Sequence, residues 1–218
     1  MDDLSRRVLI VAPHGRDAEL MCAHLEAASV IAFDVLAEEL AAHGAPPELV
    51  ASCRDAAIEE IAHAEAVGLL ARRYGSEMPA LEIEERRRTR SLLELAIDNA
   101  IEGLVRELFG AVQAHARAAL ASDEVVRIAM KRIAEDESRH AELSTRIGAF
   151  LDAQLDPTER SIVRSAAQNA RAELRAELAR NEVDPELSRI AGVPTRPQAL
   201  ALFDALEAEV WRAPRKAA

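Results

Sequence analysis

The chain has 218 residues, of which 50% are hydrophobic, 30% are charged and 3% are aromatic, and its formal net charge is −11 at pH 7. Because a nucleic-acid surface needs clustered lysine and arginine, this acidic balance argues against a nucleic-acid partner. No apolar run approaches the ~20 residues of a membrane-spanning helix, the acidic N-terminus lacks a signal-peptide pattern, and two cysteines make no disulfide framework. We therefore expect a soluble cytoplasmic protein with no membrane partner.

The predicted elements are almost all helices, because alanine, leucine, glutamate and arginine dominate the composition. The only candidate for a strand is the run Val8–Val11, inside an N-terminal arm of residues 1–16. Start and stop signals then predict four long helices. The first spans about residues 17–42 with Asp17 as its N-cap, and the second starts at a proline and spans about residues 47–74. The third spans about residues 92–120 and begins with a capping box of Ser91 and Glu94. The fourth has Ser122 or Asp123 as its N-cap and reaches about residue 153.

A long connection, residues 75–90, separates the second and third helices. Its basic run, Arg86–Arg88 with Arg90, follows three glutamates and is interpreted as a solvated, locally neutralised turn. Four helices joined in this way predict an all-α four-helix bundle over residues 17–153. Residues 154–218 are predicted to form a helical C-terminal extension. It contains a helix at about 157–181, an irregular segment with several prolines, and a last helix at about 198–211 whose Trp211 anchors it to the bundle.

A short acidic motif with one histidine occurs twice, as EEIAHAE at residues 59–65 and as DESRHAE at residues 136–142. Each copy falls in the middle of a predicted long helix. Side chains three residues apart share one face of a helix, so Glu60 with His63, and Glu137 with His140, could each bind one metal ion. Glu59 would also share the face of His63, but the alignment of the two copies favours Glu60.

The other two helices each carry an isolated glutamate among apolar residues, Glu26 and Glu102. Glu26 precedes Glu60 by 34 residues and Glu102 precedes Glu137 by 35. Each half of the chain is therefore a predicted helical hairpin with one lone glutamate followed by Glu-x-x-His. The two pseudo-repeats are residues 17–74 and 91–153.

A lone glutamate on two helices and Glu-x-x-His on the other two resembles the di-iron carboxylate pattern of the ferritin-like superfamily. The segment NAIEGLVRELFGA, residues 99–111, is similar to the third-helix motif of the rubrerythrin-type branch. The resemblance covers about residues 17–153 and implies a ferritin-like four-helix bundle with two bound iron ions, or manganese instead. It implies six metal ligands: Glu26 and Glu102 as terminal or bridging carboxylates, Glu60 and Glu137 as bridges, and His63 and His140 on one metal each.

The chain departs from the rubrerythrin pattern in two respects. The second glutamate expected on the third helix is replaced by Val105, and the nearest acid, Glu107, would lie about 140° round an α-helix from Glu102. The four cysteines of a rubredoxin module are also missing. The resemblance thus implies an oxidoreductase that activates O₂ or peroxide and takes electrons from an external donor or a small-molecule substrate. A homodimer is the candidate assembly, because many bundles of this type dimerise, and the sequence leaves the oligomeric state open.

Two other functions stay open from the sequence. The first is iron handling, as a ferroxidase or a storage subunit. The second is a metal-free structural or interaction module that keeps a vestigial site. Buried carboxylates without a bound cation would be costly or would take up protons, which counts against the second alternative.

Overall fold

The structure is a computed structural model that describes residues 18–74 and 88–212, with side chains described from Glu26 onward. Over these residues the protein is all-α and contains no strand. The predicted N-terminal arm with Val8–Val11, the Asp17 cap and most of the connection lie outside the described residues. The chain divides into two compact units, and the division falls between Arg90 and Ser91. No helix in the described part of the chain is long and apolar enough to cross a membrane.

The first unit is built on a helical hairpin. Helix α1 spans Ala18–Ala42 and helix α2 spans Pro47–Arg73, close to the predicted bounds. The turn between them includes Gly44, whose φ of 74° lies in the left-handed region that glycine adopts without strain. The two helices pack along their lengths through small and aliphatic side chains. Among these, Ala37, Leu40, Cys53 and Ala71 are fully buried.

A buried ion pair fixes the end of the connection to α1. The Arg90 backbone N–H donates to Glu39 Oε1 at 3.0 Å, and its guanidinium Nε and Nη2 lie 2.8 and 2.6 Å from Glu39 Oε2. The Arg90 carbonyl oxygen also lies 2.7 Å from His43 Nε2. The prediction of a solvated basic turn is therefore wrong for Arg90. A buried guanidinium is tolerated here because the carboxylate neutralises its charge.

The second unit begins with one continuous helix that changes its winding twice. Helix α3 spans Leu92–Asp98, a π-helical segment spans Asn99–Glu107, and helix α4 spans Leu108–Leu120. The predicted capping box is present, since Ser91 Oγ accepts from the Glu94 N–H and the Glu94 carboxylate accepts from the Ser91 N–H. Helix α5 spans Glu124–Asp152 and packs antiparallel against this long helix, capped by the Asp123 side chain.

The π-helical segment shifts the buried face of the long helix. Buried positions fall at Leu95 and Ala96, then at Asn99 and Ala100, and next at Val105 and Phe109. The step from 100 to 105 is longer than the spacing of an α-helix, because a π turn closes its hydrogen bond over five residues instead of four. The sequence analysis assumed a regular α-helix over 92–120 and missed this change.

Gly103 lets the π-helical segment approach α5 closely. A methyl group at this position would lie 2.7 Å from Ser144 Oγ and 2.8 Å from Ser144 Cβ. The amide of Asn99, one turn earlier, donates to the Ser144 carbonyl oxygen at 3.1 Å. Ser144 follows His140 by one turn of α5. The glycine therefore places the two helices in contact next to one copy of the repeated motif.

The C-terminal extension continues the second unit. It contains α6 Pro157–Arg180, α7 Pro185–Ala191, α8 Arg196–Leu206 and a π-helical turn Glu207–Trp211. Helix α7 corrects the prediction of an irregular segment here. Asp184 caps it, Pro185 occupies the first turn where a missing N–H costs nothing, and Gly192 ends it with a φ of 66°. Asp184 and Pro185 thus begin a short helix, and Gly192 ends it.

We expect Gly103→Ala to destabilise the protein, although alanine is the better helix former by about 1 kcal/mol. The added methyl group has to displace Ser144, and such overpacking costs about 1–3 kcal/mol. The matched control is Gly110→Ala in α4, where an added methyl group meets nothing within 4 Å. Urea unfolding should show a loss of stability for the first variant and a gain of about 0.5–1 kcal/mol for the second. Equal effects would contradict the close approach at Gly103.

Candidate metal centre

The first unit brings together three predicted ligands, Glu26, Glu60 and His63. Glu26 lies on α1 and the other two lie on α2. His63 Nδ1 is 3.5 Å from Glu60 Oε2 and 3.7 Å from Glu26 Oε2. Glu60 is 1% exposed and His63 is 2% exposed, while the Glu26 side chain is 18% exposed. Each of the three residues has one potential ligand atom, and these three atoms lie within 4.8 Å of one another. We call Glu26, Glu60 and His63 the first group.

Burial changes the protonation of the first group. Burial of the Glu26 carboxyl raises its pKa from 4.5 to about 7, the nearby Glu60 adds to this rise, and the hydrogen bond with His63 opposes it. Two carboxylates cannot share so dry a site at full charge without a cation or a proton between them. A bound metal ion would replace that proton and keep both carboxylates ionised.

The second unit brings together Glu107, Glu137 and His140, which we call the second group. Glu137 and His140 lie on one face of α5, with exposures of 7% and 1%. Glu107 is the last residue of the π-helical segment, and its Oε1 lies 3.4 Å from His140 Nδ1. Potential ligand atoms of these three residues also lie within 4.8 Å of one another.

The structure does not place Glu102 in the second group. Its side chain is 63% exposed and lies 4.0 Å from the guanidinium of Arg106. Glu107, which is 21% exposed, occupies the place that the sequence pattern assigned to Glu102. Because a π-helix turns less per residue than an α-helix, Glu107 falls on the same face as Asn99 and Gly103, which meet Ser144 of α5.

The donor set of each group fits a hard first-row metal ion. Each group offers two carboxylates and one imidazole, a composition suited to iron or manganese. The separations of 3.4–3.7 Å between nitrogen and oxygen are slightly longer than the ~3 Å expected for two ligands at about 2.1 Å from one ion. Glu107 Oε1 is also buried and accepts no hydrogen bond from the described residues. These buried Glu and His groups could therefore hold a metal ion.

No protein-family model, no curated protein and no solved structure matches this chain. The described residues form an all-helical protein with buried Glu and His side chains that could hold a metal ion.

We expect Glu107→Gln to lose metal at the second group and Glu102→Gln to keep it. An amide oxygen is a weaker, uncharged ligand, so the affinity for Mn(II) or for Fe(II) without oxygen should fall by tenfold or more in the first variant. The second variant changes only a mostly exposed carboxylate and serves as the control. Calorimetric titration of both variants measures the difference. A loss confined to Glu102→Gln would contradict the assignment of Glu107 to the second group.

The raised pKa of Glu26 predicts a pH dependence of stability in metal-free protein. Between pH 4.5 and about 7 the folded state binds more protons at this carboxyl than the unfolded state does. Its contribution to stability is therefore full below pH 4.5 and is lost as the pH rises through about 7. Glu26→Gln cannot ionise, so its stability relative to wild type should rise across this window, by about 3 kcal/mol at most. Urea unfolding with a chelator present tests this, and a difference that stays constant with pH would contradict it.

Proposed function

We propose that the chain is a ferritin-like di-iron protein and acts as an oxidoreductase on O₂ or peroxide, with one iron ion at each of the two groups. The observation that carries the proposal is the matching composition of the groups. Each has a buried Glu-x-x-His pair on one helix and a further glutamate from the preceding helix. A pattern repeated in both halves of a chain is hard to explain by the packing needs of helices, which apolar residues would satisfy better.

When bound, two ferrous ions supply two electrons, which is what the reduction of O₂ to hydrogen peroxide or of peroxide to water requires. Iron is proposed over zinc because the ligands are mostly carboxylates and because structural zinc sites favour cysteine and histidine. Manganese is the alternative with the same ligand preferences.

The protein side chains would set the charge, the geometry and the dryness of each site. Glu26 would release its proton when a cation binds, because the cation offsets the burial that raises its pKa. The Glu-x-x-His spacing holds each imidazole beside a carboxylate on a rigid helix, which limits the movement of both ligands. Buried apolar neighbours on the same helices, such as Val67 and Ile133, limit the access of water.

To reduce the iron again after each turnover, electrons would have to come from an external donor. The chain has two cysteines, so it cannot build the four-cysteine module that delivers electrons in rubrerythrins. An external reductant or an oxidisable small molecule is therefore part of the proposal.

The test is the metal content of chelator-free protein, followed by anaerobic Fe(II) loading and exposure to air. We expect about two iron ions per chain, and a near-ultraviolet charge-transfer band that grows as the iron is oxidised. His63→Ala and His140→Ala should each bind one ion less and lose most of this reaction, with Glu102→Gln as the control that keeps both.

The outcomes separate the proposed activity from its alternatives. Multiple turnovers with an added reductant support the oxidoreductase. Continued uptake of many irons per chain into a large assembly would show iron storage instead. A chain that binds neither Fe(II) nor Mn(II), and whose stability does not change when they are added, would be a structural module, and the proposal would be wrong.

A further inference from the structure

The π-helical segment that carries Glu107 packs against the C-terminal extension. An apolar cluster joins the long helix to α6 and α8. Its members include Val105, Phe109, Leu174, Leu178, Phe203 and Leu206. Val105 lies within the segment and Phe109 lies just after it, so the cluster holds the helix on both sides of Glu107 in the sequence. Glu107 itself lies beside His140.

Trp211 makes a directional contact with the same segment. Its indole Nε1–H donates to the Leu104 carbonyl oxygen at 3.0 Å. The indole ring is held in place by Phe203, with ring centroids 5.3 Å apart, and by the Arg171 guanidinium, 5.8 Å from the ring centroid. This bond ties a backbone carbonyl oxygen of the π-helical segment to the C-terminal extension.

A second polar contact holds the segment to α6. The Arg106 guanidinium donates two hydrogen bonds to the Glu177 carboxylate, at 3.1 and 3.0 Å. Leu104 and Arg106 are therefore both bound to the extension within the turn that ends at Glu107. Planar two-point contacts of this kind fix orientation better than a single bond does.

A π turn needs such support because it is rare and is found mostly as a short insertion in an α-helix. If the segment rewound as an α-helix, Glu107 would rotate away from His140, and the wider spacing of buried residues between Ala100 and Val105 would be lost. We propose that the C-terminal extension acts as a brace on this segment, and that Trp211 is the positioning residue that keeps Glu107 directed at the second group. The effect of this brace on metal binding rests on the proposed function.

The experiment compares Trp211→Phe with a control of similar effect on stability. Phenylalanine keeps an aromatic ring against Phe203 but lacks the N–H that bonds to Leu104. The control is Asp184→Ala, which removes the N-cap of α7, where the carboxylate accepts from Glu186 and Leu187. Each change should lower the folding equilibrium constant by about fivefold.

Amide hydrogen exchange in metal-free protein is the first readout. In Trp211→Phe, peptides covering residues 99–109 should exchange about fivefold faster relative to the rest of the second unit, whereas in Asp184→Ala these peptides should exchange no faster than the rest. Unchanged exchange in Trp211→Phe would overturn the brace.

Mn(II) affinity is the second readout, and it is measured separately for each group. In a His63→Ala background, which leaves the second group, Trp211→Phe should weaken Mn(II) binding by about tenfold. In a His140→Ala background, which leaves the first group, the same change should have less than about a twofold effect. Asp184→Ala should have no effect in either background. Equal losses at both groups would mean that Trp211 acts only through general stability, and the positioning role would be wrong.

These measurements separate the brace from the proposed function. A wild-type chain that binds neither Fe(II) nor Mn(II) would disprove the proposed function and, with it, the positioning of a metal ligand. Exchange in the metal-free protein would still support or overturn the hold of Trp211 on the π-helical segment.

Discussion

The burial of acidic and imidazole side chains in a helical protein is the constraint on which the site depends. Glu60, His63 and His140 are almost fully buried. Removing such polar side chains from water costs free energy unless a partner offsets the lost hydration. Within each group, a histidine lies beside the carboxylates at 3.4–3.7 Å. The raised pKa of Glu26 shows that this offset is incomplete in the first group. A cation is the simplest partner that would complete it.

The two groups have the same kinds of potential ligand, but different backbone geometry brings these side chains together. In the first unit, a regular helical hairpin brings the lone Glu26 to the Glu-x-x-His pair of α2. In the second unit, the corresponding glutamate comes from the end of a π-helical segment. In this segment the mostly exposed Glu102 side chain lies near Arg106, whereas Glu107 lies beside His140. The close approach at Gly103 keeps this segment against α5 at the same level.

The C-terminal extension gives the unusual winding a structural context. Trp211 and Glu177 bind polar groups of the π-helical segment, and an apolar cluster fills the space between them. These contacts link sequence positions more than 70 residues apart.

The sequence by itself determined the helical class, the helix bounds to within a few residues, and the two Glu-x-x-His pairs. Those features are local, because capping residues and spacings of three or four residues act within one turn of helix. It also indicated Glu26, since a regular helix carries that residue to the face its spacing predicts. Only the tertiary structure showed Glu107, and not Glu102, beside His140, and only it showed Arg90 buried against Glu39. Both depend on partners distant in sequence, and no local pattern in the chain specifies a π turn whose stability comes from helices that follow it by 70 residues or more.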